Sequence, residues 1–338
     1  MKNIHNLFCP QLTRFDREKN PCVRHFSQIC FSSSNPMDFS GFLSTLTQND
    51  ALALSSLAMT VSGLAAAVAL LSGLSAPYGR YALARPALAS AYSLGVPMVP
   101  ARAAWLLQEC PSFLVASYIL WRSALPPSLL WTTAGLLCCL FLAHYFNRGF
   151  IYPLRLQGGK PTPLGIGLMA FVFCLWNGCM QGVYLASLAG AAGAEPPAAV
   201  LAPRFACGVL LFLAGMGINL QADDILRNLR RPGETGYKIP HGGAFNWVSG
   251  ANFLGECIEW AGFALAAYQP YQGAFALPWV QAACSQPGLA LLCNPAVAFM
   301  LFTWCNIGPR ALQHHANYQE MFKGKYPKER KALIPWLL

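Results

Sequence analysis

The stretch from Ala51 to Leu74, "ALALSSLAMTVSGLAAAVALLSGL", runs for 24 residues without a charge. A helix rising ~1.5 Å per residue needs about 20 apolar residues to cross ~30 Å of hydrocarbon, so this segment predicts a transmembrane helix. The composition of the whole chain agrees with it. Hydrophobic residues make up 55% of the 338, charged residues only 11%, and the mean hydropathy is +0.39. A soluble domain carries about 25% charged residues. These figures exclude an ordinary soluble enzyme, a disordered protein and a coiled coil, and they predict a polytopic membrane protein.

Further apolar runs predict six more spans. They lie at about Ala103 to Trp121, Leu125 to Phe146, Pro163 to Gly190, Ala202 to Leu220, Phe245 to Tyr268 and Leu289 to Ile307. The last two share a charge-free gap between Glu259 and Arg310, too long for one helix and broken by a Pro-, Gly- and Gln-containing stretch from Gln269 to Pro287. The 13 cysteines form no CxxC pair and no zinc-like grouping with His. Most sit inside apolar runs, as small core residues do.

Basic residues outnumber acidic ones by 23 to 13. In a membrane protein such an excess marks cytoplasmic loops. The first loop holds Arg80, Arg85 and Arg102; the second Arg122; the third Arg148, Arg155 and Lys160; the fourth Arg204. The fifth holds Arg227, Arg230, Arg231 and Lys238, the sixth none, and the tail Lys323, Lys325, Lys328, Arg330 and Lys331. This alternation predicts seven spans with the C-terminus in the cytoplasm. Residues 1–36 break the pattern with Lys2, Arg14, Arg17, Lys19 and Arg24. They lack the apolar core of a secretory signal. They read as a poorly ordered extension, a transit-like segment, or sequence upstream of a start at Met37. Residues 37–338 read as one membrane domain.

The few charges inside the spans fall in stripes. An acidic residue at mid-span costs roughly 2.5–3.5 kcal/mol on insertion scales and is a functional suspect. Asn252, Glu256 and Glu259 share one helical face, as do Asn219, Asp223, Arg227 and Arg230. Arg310, His314 and Tyr318 form a third face, Trp105, Gln108 and Glu109 a fourth, and His144 and Arg148 flank Tyr145. Each has a structural reading: a polar clasp for Glu256 and Glu259, a helix-end ion pair for Asp223 with Arg227, an interfacial pair for His314 and His315, interfacial aromatics for Tyr145 and Trp105. No third ligand completes a metal site. A basic pocket with Asn, Asp, Glu and aromatic partners at the cytoplasmic ends suits a phosphate-bearing nucleotide. Yet Gly215-Met216-Gly217 lacks the third glycine of GxGxxG, and no Walker A sequence is present. A dinucleotide here would sit inside the helical bundle.

The same residues carry a family likeness. The run "GMGINLQADDILRNLRRPGETGYKIPHGGAFNWVSGANFLGECIEW", Gly215 to Trp260, resembles the core of the steroid 5α-reductase family. So do "VPARAAWLLQECPSF" (Val99 to Phe113), "HYFNRGFIYPL" (His144 to Leu154), and the tail segments "RALQHHANYQEMF" and "YPKERKALIPWLL". The likeness is strongest to the animal type 1 and type 2 enzymes and covers about residues 96 to 338, more weakly the first span. It implies an all-α integral membrane fold of seven helices that encloses NADPH, with no Rossmann domain and a reductase-like C-terminal region over about 164–338. It implies reduction of the 4,5 double bond of a 3-oxo-Δ4 steroid that enters from the bilayer, in the endoplasmic reticulum. The expected partners are steroid and membrane lipid, without nucleic acid, and the expected state is a monomer.

By resemblance, Glu109 and Tyr145 match the pair that grips the steroid 3-keto oxygen. Asn219, Asp223, Arg230, Tyr237, Asn252, Glu256, Arg310, His314 and Tyr318 match cofactor-binding positions, and Trp105 and Trp260 match residues lining the cavity. Hydride addition to C5 of an enone drives negative charge onto the C3 oxygen, and donors already aimed there stabilise it in a dry site. Tyr145 would donate; Glu109 would donate as the neutral acid or orient the tyrosine hydroxyl. Arg230 and Arg310 suit phosphates through bidentate contacts. Three departures stand out. Gln269 to Cys293 is longer than the family's sixth loop by roughly two dozen residues, Asn317 stands where an aromatic is common, and the first span diverges most. Rival readings are an enoyl-CoA or polyprenol reductase, an isoprenylcysteine-type methyltransferase, and a transporter or scaffold without enzymatic activity. The Glu109/Tyr145 pair and the "ANFLGE" block (Ala251 to Glu256) favour the steroid branch, the Asn219/Asp223/Arg230 stripe favours a larger phosphate-bearing cofactor than a methyltransferase's, and the lack of inverted repeats disfavours transport.

Overall fold

A computed structural model describes residues 45–74, 92, 93, 95, 98–123, 132–191, 197–230, 234 and 236–338. The extension over 1–36, Met37 and the first-loop residues Arg80 and Arg85 lie outside the described residues. Among those described the chain is helical, with two isolated bridges, Val99 to Thr162 and Val248 to Lys331, and no strand. Helices are α1 (Gln48–Leu71), α2 (Ala101–Arg122), α3 (Thr133–Arg155), α4 (Leu164–Ala191), α5 (Pro203–Arg227), α6 (Ala251–Ala267), the short α7 (Pro278–Ser285) and α8 (Pro287–Leu292), and α9 (Pro295–Phe322). Five of these, α1 to α5, are long and apolar enough to cross a membrane.

Local chemistry sets the starts. Thr47 and Asp50 form a reciprocal capping box at α1. The Thr132 hydroxyl takes the Gly135 amide at α3, and Asn294 takes those of Ala296 and Val297 at α9, with Pro295 at the first helical position.

The expected boundaries shift in four places, the first being the third helix, which runs on past Phe146 to Arg155 through a π-helical turn. The sixth helix begins at Ala251, not Phe245, because the backbone of residues 247–250 is occupied by the C-terminal tail. Lys331 donates to the Trp247 carbonyl at 2.9 Å, and Ser249 and Gly250 donate to Lys331 and Ala332 at 2.8 and 3.0 Å. The last helix starts at Pro295, not Leu289, because Asn294 caps it and Leu289 belongs to α8; it then runs on to Phe322. The fifth helix continues past Leu220 to Arg227, because Asp223 finds a cation inside the bundle.

Two seams of small residues bring helices into backbone contact. On α5, Gly208 and Gly215 face α6, and Gly255 and Gly262 face back. A methyl on Gly215 would lie 2.2 Å from the Glu259 amide nitrogen, and one on Gly262 would lie 2.3 Å from that of Phe212. Gly215 therefore serves helix packing, which is the role its incomplete nucleotide motif left open. On α4, Gly178 and Gly182 meet Ser112 and Ala116 of α2, with methyl positions 2.9 and 3.0 Å from their Cα atoms. Membrane helices associate through such residues, since lipid offers no hydrophobic drive between them.

The pairing directions sort the basic residues. Arg102 of α2 donates to the Leu156 carbonyl, Arg155 pairs with Asp224, and Lys160 reaches the Tyr237 hydroxyl. With Arg227 and the tail they gather at one end of the bundle. At the opposite end lie Arg122, closing α2, and Arg204, opening α5.

Candidate active site

α3, α5 and α6 meet at a buried ionic cluster. α3 widens into a π-helical turn over Asn147–Ile151, which inserts one residue per turn and re-aims the side chains there. Gly149 makes this possible, since a methyl on it would press at 3.2 Å on the Cys110 backbone of α2. The turn carries Arg148 inward. One guanidinium nitrogen lies 3.1 Å from Asp223 and the other 3.2 Å from Glu256, with all three side chains at most 13% exposed. The Trp105 ring lies 4.6 Å beneath the guanidinium, the Tyr152 ring 5.2 Å from it. Arg148 was expected in a topology-setting loop; it is instead the interior cation that satisfies two acids. The expected Asp223–Arg227 pair is not the one formed, because Arg227 turns to Asp224.

The seam glycines position the acids. Gly215 and Gly255 let α5 and α6 close until the Asn219 amide donates to the Asn252 carbonyl at 3.0 Å and to Glu256 at 3.4 Å. One turn further along α6, Glu259 is fully buried and bonded to His144 Nδ1 at 2.7 Å. Its second oxygen, Oε2, has no hydrogen-bond partner among the described residues. The clasp reading of the two glutamates therefore holds for Glu259 with His144, while Glu256 belongs to the arginine cluster.

Next to this cluster lies an aromatic wall. Trp260 packs against His144 (4.6 Å between ring centres), Tyr145 (6.0 Å), Phe141 (6.2 Å) and Phe299 (4.6 Å). The buried Tyr145 hydroxyl accepts from Asn177 Nδ2 of α4 at 2.8 Å. Asn177 Oδ1, also buried, has no partner among the described residues. Glu109 sits across the α2–α4 seam, where the Cys174 thiol approaches its carboxyl at 3.7 Å. It lies within the electrostatic reach of Arg148, Glu256 and His144. Among the described residues no hydrogen bond joins Glu109 directly to Tyr145.

The remaining expected residues lie nearer the basic end. Arg230 falls beyond α5, in the turn that follows Arg227, where it reaches the Gly236 carbonyl at 3.4 Å; it does not continue the helical stripe. Tyr237 is half-exposed and holds Lys160. His314 of α9 packs on Phe253, beside Asn252. Tyr318 is buried and stacks on Tyr326 at 5.6 Å. Arg310 lies one turn before His314 on the same helix. Tail residue Arg330, counted from sequence among the orienting charges, is buried. It donates to the Pro240 carbonyl at 3.1 Å and so pins the tail beneath the loop that leads into α6. At the mouth, Arg102, Arg155, Arg227 and Asn228 line a cleft of about 290 Å³.

Sequence reasoning missed Arg148, Asn177, Cys174 and the His144–Glu259 bond as parts of one constellation. The helical spacing of His144 and Arg148 was the available signal for two of them. Asn177 is a single amide in an apolar run and gives none.

Residues 160–286 and 279–338 match the family described as 3-oxo-5-alpha-steroid 4-dehydrogenase. The chain is 48% identical over 240 residues to 3-oxo-5-alpha-steroid 4-dehydrogenase 2 of Sus scrofa, covering 71% of this chain and 82% of that protein. It is 42% identical over 271 residues to the type 1 protein of Bos taurus, covering 80% and 90%. It is 40% identical over 295 residues to the type 1 protein of Rattus norvegicus, covering 87% and 99%.

Proposed function

The chain belongs to the 3-oxo-5-alpha-steroid 4-dehydrogenase family, and from that membership we propose that it reduces the 4,5 double bond of 3-oxo-Δ4 steroids with NADPH. The observation that carries the reading is the buried Tyr145 hydroxyl held by Asn177. Asn177 donates to the phenol oxygen, so the phenol proton is left to be donated elsewhere. A ketone oxygen placed against Tyr145 would receive that proton's hydrogen bond as negative charge develops on it. Glu109 of α2, on the same α2–α4 seam as Asn177, is a second candidate donor.

The donor set fits a dinucleotide. Asn219, Asp223, Asn252 and Glu256 form a polar strip along the α5–α6 seam that runs from the aromatic wall toward the basic end. Carboxylates and amides suit ribose hydroxyls and a carboxamide. Arg230, Arg310 and His314, with Tyr237 and Tyr318, supply cations and aromatic surfaces nearer the mouth, where phosphates would be received. When bound, reduced nicotinamide supplies the hydride. The chain's own contribution is to orient the enone, exclude water through the Trp260 wall, and hold a proton at the phenol oxygen of Tyr145. Trp105, stacked under Arg148, would line the cavity from α2. The steroid would enter from the bilayer, to which α1 and α4 present exposed apolar side chains such as Val68, Met169 and Val172. The basic end faces the cytoplasm in this reading, with the enzyme in the endoplasmic reticulum.

Membranes carrying the protein, supplied with NADPH and a panel of 3-oxo-Δ4 steroids and enoyl-CoAs, test this. Formation of 5α-reduced steroid is expected. Oxidation of NADPH by an enoyl-CoA alone, or by no enone, overturns it.

A further inference from the structure

The segment between α6 and α9, which reads from the sequence as longer than the family's sixth loop, is well anchored. Asn49 donates to the Gln272 and Ala274 carbonyls at 3.0 and 3.2 Å. The Asp50 carboxylate, fully buried, accepts from the Ala276 and Leu277 amides at 2.8 and 3.2 Å. Tyr271 donates to the Cys293 carbonyl at 2.7 Å. Within it α7 and α8 fold back on each other about Ser285 and Gln286 and pack on α1. The small core so formed holds Ala53, Val280, Phe275 and Leu277 around two cysteines, Cys284 near the end of α7 and Cys293 just after α8. Both are free thiols, packed in this one core within interaction range of each other.

The segment sits at the end of the bundle opposite the larger basic group, beside Arg204, which donates to the Tyr268 carbonyl. Its neighbours there are the start of α1, the end of α6 and the start of α9, while Arg102, Arg155, Arg227 and Lys331 occupy the other end. No Lys or Arg occurs between Glu259 and Arg310. A loop of that kind faces away from the cytoplasm, where disulfides form and persist. We propose that Cys284 and Cys293 are joined by a disulfide that staples the α7–α8 hairpin on the non-cytoplasmic face. The two thiols each lose a proton and an electron to form the S–S bond. A disulfide donor of the thiol-oxidoreductase or glutathione class takes up both and is reduced to its two thiols. Burial pushes the Cys284 thiol up to about 12, so the folded, reduced loop would exchange slowly. The bond therefore closes while the hairpin is still assembling.

The full-length protein is made in a cell with an endoplasmic reticulum, and its membranes are dissolved in denaturant with N-ethylmaleimide. Digestion and mass spectrometry then read each cysteine. Cys257 and Cys305, which lie in α6 and α9 on the same tryptic segment, should carry the maleimide. Cys284 and Cys293 should carry none until the sample is reduced, and in Cys284→Ser the Cys293 thiol should become labelled. Maleimide on both cysteines of the unreduced wild-type protein overturns the proposal. So does continued protection of Cys293 in Cys284→Ser, which would mean a different partner. The readout is taken on denatured protein and uses no steroid or cofactor. It therefore stands or falls apart from the reductase reading.

Discussion

The α5–α6 seam and the α2–α4 seam are both built on residues too small to hold helices apart, yet they differ in direction, spacing and charge. α5 and α6 run antiparallel, with glycines seven residues apart on each helix; α2 and α4 run parallel, with small residues four apart. The α5–α6 seam carries Asp223, Glu256 and Glu259, and each has an ionic partner on α3. The α2–α4 seam carries one acid, Glu109, whose nearest hydrogen-bonding group is a thiol, and one amide, Asn177, with half its capacity unused. Paired charges make a rigid platform for a large polar ligand. An acid and a tyrosine without ionic partners would make a place where charge can develop on a smaller one. In the proposed reading the bundle divides holding from reacting between two seams, and α3 touches both.

The largest effect should come from closing the α5–α6 seam to a side chain. Gly215→Val places its Cβ where the Glu259 amide nitrogen already stands, 2.2 Å away. Overpacking usually costs ~1–3 kcal/mol, and a clash with backbone on both sides cannot be relieved by a rotamer. The variant should give almost no monodisperse protein on size exclusion in detergent. Gly217→Val, two residues on, meets nothing within 4 Å and should behave as wild type. Equal loss in both would show that helix propensity, not the seam, sets the outcome.

Tyr145→Phe asks whether the other seam does the chemistry. Loss of a single oxyanion donor typically lowers turnover ~10²–10³-fold. A drop in kcat of that size is expected, with NADPH binding unchanged by tryptophan quenching, because the paired charges of the α5–α6 seam are untouched. Parallel loss of both would dissolve the division between the seams.

Arg148→Met then probes the link between them. It leaves Asp223 and Glu256 buried without their cation, and breaking a buried pair this way costs ~3–5 kcal/mol. The midpoint of thermal unfolding should fall by roughly 10 °C. Asp223→Asn with Glu256→Gln in the same background should recover much of it, since the uncompensated charges are gone. No recovery would mean that Arg148 works through its contact with Trp105.

How much of this was readable beforehand follows from distance along the chain. Stripes such as Asn252, Glu256 and Glu259 were legible because an isolated polar residue in an apolar run has few places to go, and a period of 3.6 fixes the face. Arg148 was not. The apolar run of its helix stops at Phe146, so an arginine two residues later counts as loop. Only acids 75 and 108 residues downstream show that it is interior. The π turn that carries it inward leaves no local signature. Gly215 was weighed against a nucleotide motif because the residue it packs on, Glu259, belongs to another helix. The loop from Gln269 to Cys293 was visible as an excess length, but its hairpin depends on Asn49 and Asp50, more than 200 residues earlier.

The smallest effect, and the finest test of the comparison, concerns Asn177. If its amide only fills space beside Tyr145, Asn177→Leu should be nearly silent, for the two side chains share the same branched skeleton of four heavy atoms. If it fixes the phenol oxygen as an acceptor, removal of one hydrogen bond worth ~0.5–1.5 kcal/mol should lower kcat by up to about tenfold and leave KM nearly unchanged. Asn177→Asp separates the two further. A carboxylate there cannot donate to the phenol oxygen and would draw the phenol proton to itself, away from a ketone. The order of kcat should then be wild type, Leu, Asp. Turnover in Asn177→Asp equal to wild type would show that Tyr145 needs no orientation, and that the α2–α4 seam contributes Glu109 alone.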